Sequence, residues 1–273
     1  MSQSTALLPR ILLCFASLMC LAPAKAIPQA EVVKKLDTIL LLMAVDEKGQ
    51  PQLSAITLEG KPITAYLGAM SIDAAQGITT GKTYSVAQKD AAKLRFAPVS
   101  LARFNLLLEP LLKARPDAVG VIAPDPAQIS VAQKLLIAQK VPADQAKTIA
   151  ELQPMVFCPD PGLLVSSNNG PSKGKTFIPC ATEAGFVESI VQRGIKQSSQ
   201  IANTRPKVIA IPFNAFIKFL RQEPDSKVGS YQVVPSGQMV ELIQKISRQQ
   251  ASSPSQPMET APSTKPNEPA SPK

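Results

Sequence analysis

An ordered set of segments occurs twice in this chain, and corresponding positions lie roughly 111–114 residues apart. The stretch "LRFAPVSLARFNLLLEPLL" (94–112) has the same shape as "KVIAIPFNAFIKFLRQEP" (207–224), since each is a short strand that runs into a helix. The stretch "AVGVIAPDPAQISVAQKLL" (118–136) parallels "GSYQVVPSGQMVELIQKIS" (229–247) in the same way. With only two copies, the pattern indicates an internal duplication and not a solenoid, which needs more repeats.

Each copy begins with short strands of hairpin type and continues through alternating helices and strands. This order predicts an α/β or α+β fold of two pseudo-symmetric repeats, each a small mixed sheet with packed helices. We place the first repeat at 27–140 and the second at 141–248. Beyond them the composition shifts to Pro, Ser, Gln, Thr and Lys, so 249–273 is predicted to be a disordered tail.

Residues 1–26 have the pattern of a secretory signal peptide. Arg10 supplies a positive charge, an apolar run follows, and the cleavage pattern small-x-small ends at Ala26. We therefore expect cleavage between Ala26 and Ile27 and export to the periplasm. No later stretch is apolar enough to span a bilayer, so we expect no transmembrane segment in the mature protein.

The composition limits the chemistry that the chain can perform. Histidine is absent, and two of the four cysteines, Cys14 and Cys20, lie within the predicted signal. These facts exclude histidine-dependent triads, histidine-ligated metals and four-cysteine zinc sites, and we expect no metal and no cofactor. The chain carries 29 Lys and Arg against 20 Asp and Glu. Because the basic residues are scattered and the chain is exported, we expect no nucleic-acid partner.

The stretch "NNGPSKGKTF" (168–177) resembles a phosphate-binding loop at first sight. That motif requires four residues between its glycines, whereas three separate Gly170 from Gly174. In the motif a helix follows, but 176–180 is predicted to be an extended segment. We interpret the stretch as a turn and expect no nucleotide to bind there.

Carboxylates offer a route to catalysis that needs no histidine; a Ser-Lys pair at Ser172 and Lys173, or at Ser85, is formally another but lacks the spacing of known variants. A glycan hydrolase requires two acids several ångströms apart, and a cell-wall hydrolase or binding module is the alternative function that we keep. The candidate acids, none of them in a recognised motif, are Asp73, Asp117, Asp125 and Glu183. For each of them a solvated acid or a helix cap is the competing interpretation.

Cys158 and Cys180 are the two cysteines that remain after export. Each ends a short extended run, and an oxidising compartment permits a bond between them. We predict that they form one disulfide, and the alternative is a pair of small buried thiols.

Four stretches resemble the family of the 22-kDa subunit of the chloroplast TIC translocon, in its cyanobacterial periplasmic form. They are "LLLMAVDEKGQPQ", "APVSLARFNLLL", "VIAPDPAQISVAQKLL" and "YQVVPSGQMVELIQ". Their order is the specific part of the resemblance, which covers about 30–248. The resemblance departs where the family usually carries aromatic residues and this chain has Cys158 and Cys180.

The resemblance implies a non-enzymatic protein associated with protein translocation. It implies a chaperone-like escort of outer-membrane precursors across the periplasm, with unfolded precursors and the β-barrel assembly machinery as partners. The thylakoid lumen is the alternative compartment, because the same type of signal serves both in cyanobacteria. The family has no common catalytic residue, so the resemblance implies no catalytic site.

An escort needs apolar surface that clients can occupy. The best candidate in the sequence is an apolar stripe along one face of the helix in 213–220, formed by Phe213, Phe216, Ile217 and Leu220. A stripe of this kind either binds clients or belongs to the core, and we keep both interpretations.

Overall fold

The computed structural model describes residues 27–86, 93–166, 174–222 and 229–252. The first repeat contains α1 (Gln29–Asp37), β1 (Leu40–Val45), β2 (Leu53–Leu58), β3 (Lys61–Ala69), α2 (Ile72–Thr79), β4 (Ser85–Val86), β5 (Arg95–Ser100), α3 (Leu101–Ala114), β6 (Ala118–Ala123) and α4 (Pro126–Ala138). The second contains α5 (Ala143–Leu152), β7 (Met155–Asp160), β8 (Val165–Ser166), β9 (Thr176–Ala181), α6 (Ala184–Gln197), α7 (Ser199–Thr204), β10 (Lys207–Pro212), α8 (Phe213–Gln222), β11 (Tyr231–Val234) and α9 (Gly237–Ser252).

The two repeats build sheets of the same topology. The first sheet has the core order β5-β1-β3-β6, and the second has the order β10-β7-β9-β11. In both, the first two pairings are antiparallel and the last, β3 with β6 or β9 with β11, is parallel. Strand β2 and the two-residue strand β8 pair with β3 and β9 in equivalent places. The predicted α/β fold of two pseudo-symmetric repeats is therefore confirmed.

The register of the outer pairs also repeats. In the first sheet Leu40 lies opposite Ser100, and in the second Met155 lies opposite Pro212. Both β1 and β7 are buried along nearly their whole length. Uninterrupted apolar strands of this kind need cover on both faces, which explains why helices lie on both sides of each sheet.

Three helical features differ from the expectations. Helices α1 and α5 precede the first strand of each repeat, where no helix was predicted. The apolar pattern of α5 is weak, because its buried face consists of the small residues Ala146 and Ala150. Helix α9 extends to Ser252, beyond the predicted start of the tail at 249, because Gln and Ala have high helix propensity. The predicted signal, most of the "NNGPSKGKTF" turn and 253–273 lie outside the described residues.

The main core lies between the two sheets and draws on both repeats. Glycines let helix α3 approach the first sheet closely: a Cβ atom on Gly120 would lie 3.0 Å from Leu108, and one on Gly68 would lie 3.4 Å from Phe104. Ile27, which follows the predicted cleavage point, is buried in the same core. The buried Ile, Leu, Met, Phe and Tyr residues of this core are Ile27, Leu36, Ile39, Leu41, Met43, Tyr66, Met70, Leu101, Phe104, Leu108, Phe213, Phe216 and Leu220.

The last helix of each repeat packs on the sheet of the other repeat. On α9, Met239 is buried against the outer face of the first sheet, in one cluster with Leu42 and Leu67. On α4, Leu136 is buried with Phe157 of the second sheet. The repeats are therefore interlocked by an exchange of their C-terminal helices.

Side chains of the first repeat cover two strand edges of the second. The amide of Gln139 donates to the carbonyl of Ala210 at 3.1 Å and accepts from its N–H at 2.8 Å, so it completes the outer edge of β10. The Nζ of Lys35, a buried residue, donates to the carbonyls of Gly229 and Tyr231 at the edge of β11. These bonds satisfy backbone groups that would otherwise lack partners.

Replacing Gln139 by alanine is expected to lower the free energy of unfolding by about 1–2 kcal/mol, because both polar groups of the buried Ala210 lose their partner. Chemical denaturation measures the change. Lys134→Ala, at an exposed position of α4, the helix that Gln139 caps, is the control and should be close to neutral. Equal losses in the two variants would contradict a specific role for Gln139.

Candidate functional site

An open apolar groove lies between α4 and α6, at the start of β10. Its volume is about 350 Å³. We call it the α4–α6 groove; its lining residues are Val131, Leu135, Ala138, Ala184, Glu188, Val191, Gln192, Pro206, Lys207 and Val208. Among the described residues of this lining there is one acid, Glu188, and one base, Lys207, and these opposite charges balance. Apolar clefts with few polar groups are typical of binding sites.

The two helices that form the groove are tied together at their N-terminal ends. The side-chain oxygen of Gln128 on α4 accepts from the backbone N–H of Ala184, the first residue of α6, at 3.1 Å. Helix α4 is apolar on more than one side, since Leu136 is buried against the second sheet while Val131 is exposed. The exposed side is therefore not needed for the core of the described chain and is available for binding.

The predicted client-binding stripe is not this groove. Phe213, Phe216 and Leu220 are buried in the core between the sheets, and Ile217 is half-buried against it. The interpretation of the stripe as a client-binding surface is therefore wrong. The physical reason is that α8 lies between the two sheets, where a strongly amphipathic helix buries its apolar face.

Cys158 and Cys180 are joined by a disulfide in the structure. They stand opposite each other on β7 and β9, their Cα atoms are 4.4 Å apart, and neither is exposed. The equivalent pair in the first repeat is Met43 and Gly68. Because the bond is buried in the core, its place is structural and not that of an exposed redox centre.

A second, larger cleft of about 660 Å³ lies between α2 and the end of α5. It contains the carboxylates of Glu59, Asp73 and Glu151, together with the residue Tyr84. Of the four predicted acids only Asp73 lines it. Glu59 and Glu151 were missed, since their proximity depends on how the repeats pack and leaves no signal in the sequence.

The other three acids are not among the described residues that line this cleft. Asp125 is the N-cap of α4 and also accepts a hydrogen bond from the hydroxyl of Ser71 at 3.1 Å. Asp117 is exposed beside Arg115, and Glu183 precedes α6 without a side-chain cap bond. Among the described residues, no group of acids and cysteines could hold a metal ion.

The hydroxyl of Tyr84 is buried and has no hydrogen-bond partner among the described residues, and burial raises the pKa of Tyr84 to about 12 from 10.0. The neutral phenol is therefore the form that the fold stabilises. The resulting contribution to the free energy of unfolding is fully present below pH 10. It is lost as the pH rises from 10 towards 12, by about 1.4 kcal/mol for each pH unit.

We expect Tyr84→Phe to raise stability by about 1 kcal/mol at neutral pH, because it removes an unpaired buried hydroxyl. The advantage of the variant over the wild type should grow between pH 10 and 12. Denaturation of both proteins across this range measures it. A constant difference would show that Tyr84 does not titrate as a buried group.

Comparison with known proteins places the fold. The sequence matches no protein-family model and no curated protein. The structure of Tic22 from Anabaena, described as a protein of protein transport, superposes with a TM-score of 0.61 at 15% identity, over 80% of this chain and 97% of that one. Tic22 from Plasmodium falciparum superposes with a TM-score of 0.55 at 13% identity, over 80% of this chain and 98% of that one.

These structures correspond to the 22-kDa subunit that the sequence resembles. Each superposition includes nearly the whole length of the Tic22 chain, so the likeness includes the two repeats and their arrangement. Within the described segments, no helix has the length and apolar character that crossing a bilayer requires. The chain therefore has a Tic22-like fold.

Proposed function

We propose that this protein is a non-enzymatic, exported escort that binds unfolded precursors in the periplasm and delivers them towards the outer membrane. The observation that carries the proposal is the open α4–α6 groove on a Tic22-like scaffold. The similar Anabaena protein belongs to protein transport, which supports a role in the same process. Delivery to the β-barrel assembly machinery is part of the proposal.

The groove has the properties that transient binding of unfolded chains requires. Its volume of about 350 Å³ admits only a short apolar segment of a client. Burial of apolar side chains is favourable and non-directional, so many sequences are accepted. A small contact also gives weak binding, which allows the client to leave for its destination.

Two variants on one helix test the groove. Val131→Lys places a charge in the groove, whereas Ile137→Lys changes an exposed residue of α4 that does not line it. We expect the wild type and Ile137→Lys to prevent aggregation of a denatured outer-membrane barrel protein on dilution from urea, and Val131→Lys to lose most of this effect. Equal activity of both variants would contradict the role of the groove.

Capture from periplasm separates the escort from the alternative function. An escort recovers outer-membrane precursors, whereas a cell-wall module recovers peptidoglycan. For the alternative function, the cleft between α2 and the end of α5 is the candidate active site, because Asp73 and Glu151 both line it. Peptidoglycan hydrolysis that is lost in Asp73→Asn would establish the enzyme and overturn the proposal. Fractionation of a tagged protein tests the periplasm against the thylakoid lumen.

A further inference from the structure

The four outer strands of the two sheet cores are β5, β6, β10 and β11. Three of them carry a feature that opposes pairing with another strand. Pro98, which cannot donate a hydrogen bond, stands in the middle of β5. The side chain of Gln139 hydrogen-bonds to the edge of β10 at Ala210, and that of Lys35 hydrogen-bonds to the edge of β11. Proline, lysine and covering side chains are the usual means by which proteins protect exposed edges.

Strand β6 has no such feature within the described chain. Its sequence, AVGVIA, contains neither proline nor charge, and no described strand pairs with its outer side. Val119 is 43% exposed, and Gly120 is exposed as well. The equivalent strand β11 has no exposed residue. The contrast between two equivalent strands shows that the open edge is specific to the first repeat.

The hydrogen-bond pattern shows which groups face outward. The carbonyl of Ala123 accepts from the N–H of Met70, at the end of β3, at 3.0 Å. Backbone groups alternate along a strand. The N–H and C=O groups of Val119 and Val121 therefore also point towards β3, while those of Gly120 and Ile122 point away from it. At the N-terminal end, the N–H of Ala118 donates to Arg115. The outward donors and acceptors are thus centred on Gly120, which is itself exposed.

We propose that the outer edge of β6 binds an extended segment of a client polypeptide, which adds to the first sheet as a further strand. The backbone of the client would supply the hydrogen bonds, and the valine side chains of β6 would favour an uncharged strand with alternating apolar residues. The proposal rests on the proposed escort function and names the conformation of the client segment that the escort holds.

The size of the edge favours a client segment over a second copy of this chain. The strand has 6 residues, whereas a stable interface between folded proteins needs about 20–30 residues on each side. An unfolded client can pair with a single edge and dissociate again. Two folded copies that met only at this edge would gain too little contact area to remain together.

The probe is a fluorescent peptide of about ten residues in which valine and threonine alternate between terminal lysines. Val119→Lys introduces an edge-protecting charge, and Val33→Lys on α1 is the control at a similarly exposed valine. We expect fluorescence anisotropy to show binding that Val119→Lys weakens by about tenfold and Val33→Lys leaves within about twofold. Circular dichroism verifies that both variants are folded.

A second peptide, methylated at two successive central nitrogens, cannot pair on either edge and should not bind. Binding of the methylated peptide, or equal binding by Val119→Lys, would overturn the proposal. A dimer of the wild type in sedimentation that dissociates in Val119→Lys would also overturn it, since a second copy would then occupy the edge. The groove variant Val131→Lys should still bind the peptide, so a failure of the groove and a failure of the edge are distinguishable.

Discussion

Replacing Phe216 by alanine is expected to lower the free energy of unfolding by about 4 kcal/mol. The side chain is 1% exposed and lies in the core that both repeats share. Its removal sacrifices apolar burial and leaves a cavity between two sheets that cannot close around it. Denaturation monitored by circular dichroism measures the change, with Phe186→Ala, at an exposed phenylalanine, as the control.

The control should lose about 1 kcal/mol or less, because an exposed ring buries little area. If both variants lost similar amounts, Phe216 would not be a core residue, and the stripe with Phe213 and Leu220 would again be a candidate surface. A near-neutral Phe216→Ala with impaired client binding would have the same meaning.

Replacing both Cys158 and Cys180 by alanine is expected to destabilise the protein by about 3 kcal/mol in the chain-entropy model. The bond closes a loop with a sequence separation of 22, and its loss frees this loop in the unfolded state. Chemical denaturation of the variant and of the oxidised wild type measures the difference. Mass spectrometry of the non-reduced protein checks the bond itself, since two thiols that react with alkylating agent without prior reduction would contradict it.

The fold was predictable because its strongest signals are local and occur twice. A strand that runs directly into a helix is visible in both "RFAPVSLARF" and "VIAIPFNAF", and their common spacing indicated the repeat. Helix α5 was missed because its buried face is made of alanines, which contribute little to an apolar pattern. Local patterns therefore predicted the topology but not every element.

The site was less predictable, since it depends on packing between distant segments. The stripe of Phe213, Phe216, Ile217 and Leu220 is the same in sequence whether a helix lies at the surface or between two sheets, and only the second sheet decides the matter. The α4–α6 groove joins residues that are far apart in the chain. The open edge of β6 became visible only by comparison with the protected edge of β11.

The exchange of the C-terminal helices limits the order in which the molecule can form. A ribosome releases the N-terminal end first, but the outer face of the first sheet is completed by Met239, close to the end of the described chain. Until α9 arrives, Leu42 and Leu67 lack part of their cover, so the first repeat alone has an unfinished core. Domains normally fold as units as they emerge. Here the cover of the first sheet is complete only when nearly the whole described chain is available.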